Sequence, residues 1–287
     1  MRGSAEKYEY LFTSPGGELS DQEIEELRHD HVARYRTKTI RAGEILECEI
    51  YPVWNCNSEI RKARAEAKKS SAAQRAVNDR NARRKLERKI NANFGRGDIS
   101  ITLTYRGEVP DIEQARRDIR NYLRRVSRLR KRLGLPELKY IYVIEYDPGD
   151  GGRRKKRVHH HVIMSGMDRD KAEELWGKGY ANADRLQPDQ DHGLAALANY
   201  IVKDPRGAKR WCCSRNLVEP VITTADHKMG KRKAERLARD VEAEAREIFG
   251  RAHKGYRLVE CEVKRSSIVA GVYIRAKMHR ERGRHNE

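Results

Sequence analysis

The run Arg157-Val158-His159-His160-His161-Val162-Ile163-Met164 constrains this chain more than any other segment. It is β-branched and apolar around the histidines, so it reads as a strand. Side chains alternate across a strand. His159 and His161 therefore share one face, and Val158, His160, Val162 and Met164 share the other, which is the core side. Two imidazoles on one strand face make a short, rigid chelate for a divalent metal. No Cys-x-x-Cys lies nearby to complete a structural zinc site. A solitary strand histidine is more often a hydrogen-bonded core residue than a ligand, so the weight falls on what surrounds the pair.

The chain has 287 residues, enough for one large domain or two small ones. Its 62 Lys and Arg against 43 Asp and Glu leave a formal charge of +19. Such an excess points to a polyanion, most simply nucleic acid. The competing class is a basic membrane-surface protein. Against it, there is no amphipathic anchor rich in Trp and Phe, and Phe occurs only 3 times. No apolar run approaches the ~20 residues of a membrane span. Met1 to Lys7 lacks the apolar core of a signal peptide. The 5 cysteines show neither disulfide-framework nor zinc-pair spacing, which fits a reduced cytoplasm.

Three regions are expected: 1–97, 98–220 and 221–287. The first holds a strand at Ile45–Tyr51 and then, from Ser58 to about Ile90, an Ala-, Arg- and Lys-rich stretch. That stretch suits a basic, exposed helix, either a solvated face or a grip on a nucleic-acid backbone. The middle region is the most patterned. Ile99–Tyr105 alternates as a strand. A helix follows from an Asp111 cap to about Leu133, stopped by Gly134. Tyr140–Tyr146 is a strand, 147–152 a hairpin tip, and the histidine strand comes next. A helix at about Asp168–Trp176, an extended segment at Ala181–Leu186 and a helix at about Leu194–Lys203 complete it. The fold class is α+β: a ferredoxin-like, split βαβ antiparallel sheet with helices on one face. The last region reads as a charged helix, Lys231–Phe249, then a hairpin, Tyr256–Glu262 with Ile268–Ala276, and a polar tail from Met278.

Glu145 is a carboxylate in an apolar and aromatic strand and needs a reason to be there. If its strand pairs with the histidine strand, it falls opposite the histidines. It then completes a site with open positions suited to Mg²⁺ or Mn²⁺. The plainer alternative is an edge glutamate paired with the basic loop that includes Arg154, Lys155 and Lys156. Tyr200 and Lys203 stand at helical spacing and share a face. A nearby ammonium favours the phenolate, a nucleophile able to attack phosphorus. On its own, Tyr200 reads as an ordinary half-buried tyrosine. Lys209, Arg210, Trp211 and Arg215 combine charge with one aromatic, as single-strand DNA binders do, although Trp211 suits a core equally well.

Glu145, His159-His160-His161, the strand Ile101-Thr102-Leu103-Thr104-Tyr105 and Tyr200-x-x-Lys203 together resemble the rolling-circle replication initiators of the HUH (His-hydrophobic-His) endonuclease superfamily. The flanking text 175–182, 203–211 and 214–217 is similar to initiator-like proteins of bacterial mobile elements and phages. The resemblance implies His159, His161 and Glu145 as metal ligands, Tyr200 as nucleophile and Lys203 as its partner. It implies single-stranded or hairpin origin DNA as substrate, with host helicase and polymerase as partners. The chain departs from the pattern in carrying His160 where an apolar residue is usual, and in having one tyrosine on the helix. A conjugative relaxase or single-strand transposase would use the same chemistry. A non-catalytic DNA-binding regulator on an HUH-like fold is the alternative from another class.

Overall fold

The computed structural model describes residues 3–69, 71–147, 156–201 and 211–281. The chain divides into two compact units, one of residues 1–88, 190–192 and 220–287, the other of 89–189 and 193–219. The fold is α+β with two antiparallel sheets. No described helix is long and apolar enough to cross a membrane.

The second unit carries the histidine strand. Its elements are β1 (Ile99–Thr104), α1 (Ile112–Arg132), β2 (Tyr140–Asp147), β3 (Lys156–Met164), α2 (Arg169–Glu174), β4 (Ala181–Arg185), α3 (Ala195–Ile201) and β5 (Cys212–Cys213). They form a 5-stranded sheet in the order β4-β1-β3-β2-β5. β3 lies between β1 and β2 and runs antiparallel to both. One face of this sheet is dry. Ile99, Ile101 and Leu103 of β1, with Val158, Val162 and Met164 of β3, pack on Ala115, Ile119, Tyr122 and Val126 of α1. Local chemistry sets the ends of α1. Asp111 caps it, its side chain accepting from the Gln114 amide at 2.7 Å. Gly134 stops it at φ 68°, a left-handed conformation in which glycine has no Cβ penalty. A second glycine is required by space. A Cβ on Gly179 would lie 2.3 Å from the Thr104 carbonyl, so only glycine lets the 177–179 turn close on the end of β1.

The first unit is built on a 7-stranded sheet. Its centre is the hairpin Val32–Ala42 with Ile45–Trp54, and the C-terminal strand Val272–Arg280 pairs onto Ile45–Trp54. The residues read as separate N- and C-terminal regions thus share one sheet. Met278, expected in a loose tail, is fully buried and faces Leu46. The charged helix expected over Lys231–Phe249 is two helices, Lys231–Arg239 and Val241–Ala252, broken where Asp240 caps the second.

The basic stretch after Ser58 also departs from expectation. It forms helices Asn57–Lys69 and Ser71–Asn93, and the second is not a solvated face throughout. Leu86 and Ile90 are fully buried. Arg84 pairs with Glu9, Arg88 with both Glu47 and Glu49, and Lys89 with Glu219. These cations are neutralised within the protein and are not available as a backbone grip.

Candidate metal and nucleophile site

The strand register brings the expected residues together. Glu145 is the direct partner of His159, and Val143 of His161, across the β2–β3 ladder. On the other side of β3, Thr104 faces His159 and Thr102 faces His161. Alternation then sends Glu145, His159, His161 and Thr102 to the sheet face away from α1. The Glu145 Oε2 lies 2.9 Å from His159 Nε2 and 3.4 Å from His161 Nε2. The two imidazoles stand edge to face, centroids 4.9 Å apart. Tyr200, on α3 and 51% exposed, sets its ring against His161 with centroids 5.2 Å apart at 77°.

Hydrogen bonds orient both imidazoles. His159 Nδ1 lies 3.0 Å from the Arg157 carbonyl. A carbonyl only accepts, so Nδ1 carries a proton and Nε2 is the ring nitrogen that faces the carboxylate. A carboxylate oxygen and a ring nitrogen this close need positive charge between them, either a second ring proton or a shared cation. The ligand atoms of Glu145, His159 and His161 all lie within 4.8 Å of one another, close enough to share one cation. His161 Nδ1 meets Thr102 Oγ1 at 3.3 Å, again leaving Nε2 toward Glu145. The donor set of two imidazoles and a carboxylate is one that could hold a divalent metal ion. Sequence reasoning missed Thr102. Its alternating position in β1 was visible, but which residue meets His161 depends on a register between distant segments.

His160 is excluded from this group. It is fully buried on the α1 side, its Nε2 2.9 Å from the Tyr105 hydroxyl and its ring against Trp176. Burial holds its imidazole down at about 4, so it is neutral in the fold.

Lys203, Lys209, Arg210, Arg154 and Lys155 lie outside the described residues. Lys156 opens β3 and pairs in register with Asp147. Trp211 is half-buried beside β5, the edge strand that pairs with β2, and Arg215 is exposed just beyond it. A second cluster, unforeseen from sequence, joins His31, Cys56 and Glu59 in the first unit. Its carboxylate is already committed. Glu59 accepts from the Ala270 amide at 2.7 Å and Lys62 at 2.9 Å, with Arg28 at 3.8 Å, so it ties helix Asn57–Lys69 to the 266–271 turn.

No curated protein and no solved structure matches the chain. Residues 98–205, which include every member of the Glu145, His159, His161 and Tyr200 group, match the family model of the replication-associated protein ORF2, and this similarity supports a role in replication initiation.

Proposed function

We propose that the chain is a site-specific single-strand DNA endonuclease and strand transferase of the HUH type. In this reading it nicks an origin to start rolling-circle replication of a plasmid, phage or integrative element. The observation that carries the reading is the meeting of Glu145, His159 and His161 on one sheet face with the exposed Tyr200 against His161. The strand order, with β3 between β1 and β2, is compatible with a split βαβ sheet and supports it further. So does the match to replication-associated proteins over the same residues.

In the proposed step the Tyr200 phenol loses its proton to water, and its oxygen bonds to phosphorus as the P–O3′ bond breaks. The 3′ oxygen takes up a proton and leaves as a hydroxyl. The 5′ end stays on the protein as a phosphotyrosine, so resealing needs no nucleotide triphosphate. A bound Mn²⁺ or Mg²⁺ supplies Lewis-acid polarisation of a non-bridging phosphate oxygen. His159, His161 and Glu145 hold that ion, and Thr102 and the Arg157 carbonyl orient the two rings. Lys203 favours the phenolate. Lys209, Arg210, Trp211 and Arg215, with Arg154, Lys155 and Lys156, hold the single strand or hairpin. A host helicase and polymerase act on the released 3′ end. Incubation with single-stranded origin DNA and Mn²⁺, followed by a denaturing gel, tests the reading. A protein–DNA band that survives denaturation is expected, and free products only would refute the covalent step.

A further inference from the structure

The exposed face of α1 carries almost pure positive charge. Arg116, Arg120, Arg124, Arg128 and Arg132 repeat every fourth residue and are all exposed, and Arg117 and Lys131 flank them. At 1.5 Å rise per residue this ridge is about 24 Å long. The solvated face of an ordinary helix mixes both signs at three- and four-residue spacing. Here Glu113, paired with Arg116, is the only exposed acid on the helix. The other acid, Asp118, is buried and held by Lys178 at 3.1 Å and Gln114 at 2.8 Å. Arg116 is paired with Glu113, but Arg120 and Arg124 hydrogen-bond neutral groups, Arg120 the Arg116 carbonyl at 3.1 Å and Arg124 the Asn121 side chain at 3.2 Å. Their charge is therefore left for an external anion.

The ridge lies on the far side of the sheet from Glu145, His159 and His161, because α1 packs on the face carrying Val158 and Val162. It is thus not a wall of the cleavage site. We infer that α1 is a second DNA-binding surface, one that grips the phosphate backbone of duplex DNA flanking the single-stranded target. The inference rests on the nickase reading for the origin of that duplex. Duplex is favoured over single strand because the ridge has no aromatic side chain. Asn121 and Ser127 fill its gaps, whereas single-strand binders stack bases on rings. Over about 24 Å one strand of a duplex presents about seven phosphates, enough to face every ridge guanidinium.

The test is the full-length triple variant Arg120→Gln, Arg124→Gln, Arg128→Gln. Glutamine matches arginine in helix propensity and these positions are exposed, so the fold is retained. Fluorescence anisotropy with a labelled duplex of about 20 base pairs should show affinity reduced about tenfold or more. The slope of log affinity against log salt should flatten by about two to three units, about 0.9 for each phosphate that an arginine no longer neutralises. Binding and Mn²⁺-dependent cleavage of a short single-stranded oligonucleotide should match the unsubstituted protein. Unchanged duplex affinity and slope would overturn the inference, including the case in which the ridge serves an acidic protein. Equal losses on duplex and single strand would overturn the assignment to duplex. If the unsubstituted protein cleaves no oligonucleotide, the nickase reading fails, while the duplex measurements still judge the ridge.

Discussion

Glu145 and His159 are register partners on adjacent antiparallel strands, with Oε2 and Nε2 2.9 Å apart. The contact is set by a backbone ladder, not by a loop. A strand ladder holds donors in place more rigidly than a loop does, which a preorganised metal site needs. His161, two residues along the same strand face, approaches the same carboxylate oxygen.

Replacing any one of these donors should therefore remove the chemistry and leave the protein bound to DNA. Glu145→Ala, His159→Ala and His161→Ala should each lose about a hundredfold or more in cleavage. Affinity for a single-stranded oligonucleotide, measured by anisotropy in the absence of metal, should change little. Retained cleavage in His159→Ala would show that the ligand set is wrong.

His160 sits between two of these residues in sequence and serves a different purpose. His160→Leu should keep metal-dependent cleavage, since its ring faces α1. It removes the 2.9 Å partner of the Tyr105 hydroxyl in the core, so unfolding should become easier by about 1–3 kcal/mol. Loss of cleavage at a temperature where circular dichroism reports a folded protein would contradict this division of roles.

Thr102 gives a finer test. Its hydroxyl meets His161 Nδ1 at 3.3 Å, and groups of this kind tune ligand orientation and metal affinity by about 10–100-fold. Thr102→Val, nearly the same in shape, should raise the Mn²⁺ concentration for half-maximal cleavage about tenfold with little change at saturating Mn²⁺. An unchanged metal titration would mean that the bond does not orient the ring.

Acid stability should report on the other sheet. Burial raises the Glu47 carboxyl, but Arg88, Arg275 and Lys277 outweigh it and hold it down at about 2 against an ordinary 4.5. A depressed carboxyl stabilises the fold fully above its unfolded value and loses that contribution as pH falls toward the folded one. The window here is about pH 4.5 to 2, and the loss reaches about 2 kcal/mol by pH 3. Urea unfolding at pH 6 and pH 3 should show Glu47→Gln less sensitive to acid than the unsubstituted protein by that amount. Equal sensitivity would deny Glu47 this role.

Much of the second unit was legible because its signals are local. Alternation in Arg157–Met164 separates His160 from its neighbours. Asp111 and Gly134 mark the ends of α1, and the antiparallel β2–β3 pairing sets Glu145 opposite His159. What was not legible depends on residues far apart in the chain. Thr102 meets His161 only through the β1–β3 register. The pairing of Val272–Arg280 with Ile45–Trp54 leaves no local trace, and neither does the capture of Arg88 by Glu47 and Glu49. A cation's partner is a tertiary fact, so the basic stretch after Ser58 looked more exposed than it is.

The proposed nucleophile bears on the central claim most directly. Tyr200 is the tyrosine whose ring meets His161, whereas Tyr180, 69% exposed, lies under the Arg106 guanidinium at 5.8 Å. Tyr200→Phe removes one hydroxyl and should leave folding and DNA affinity unchanged while abolishing cleavage and the covalent band. The deciding measurement is mass spectrometry of the adduct trapped with single-stranded origin DNA and Mn²⁺, digested to peptides. The account predicts a 5′-phosphonucleotide on Tyr200. A nucleotide on Tyr180, or nicking that persists in Tyr200→Phe, would contradict it.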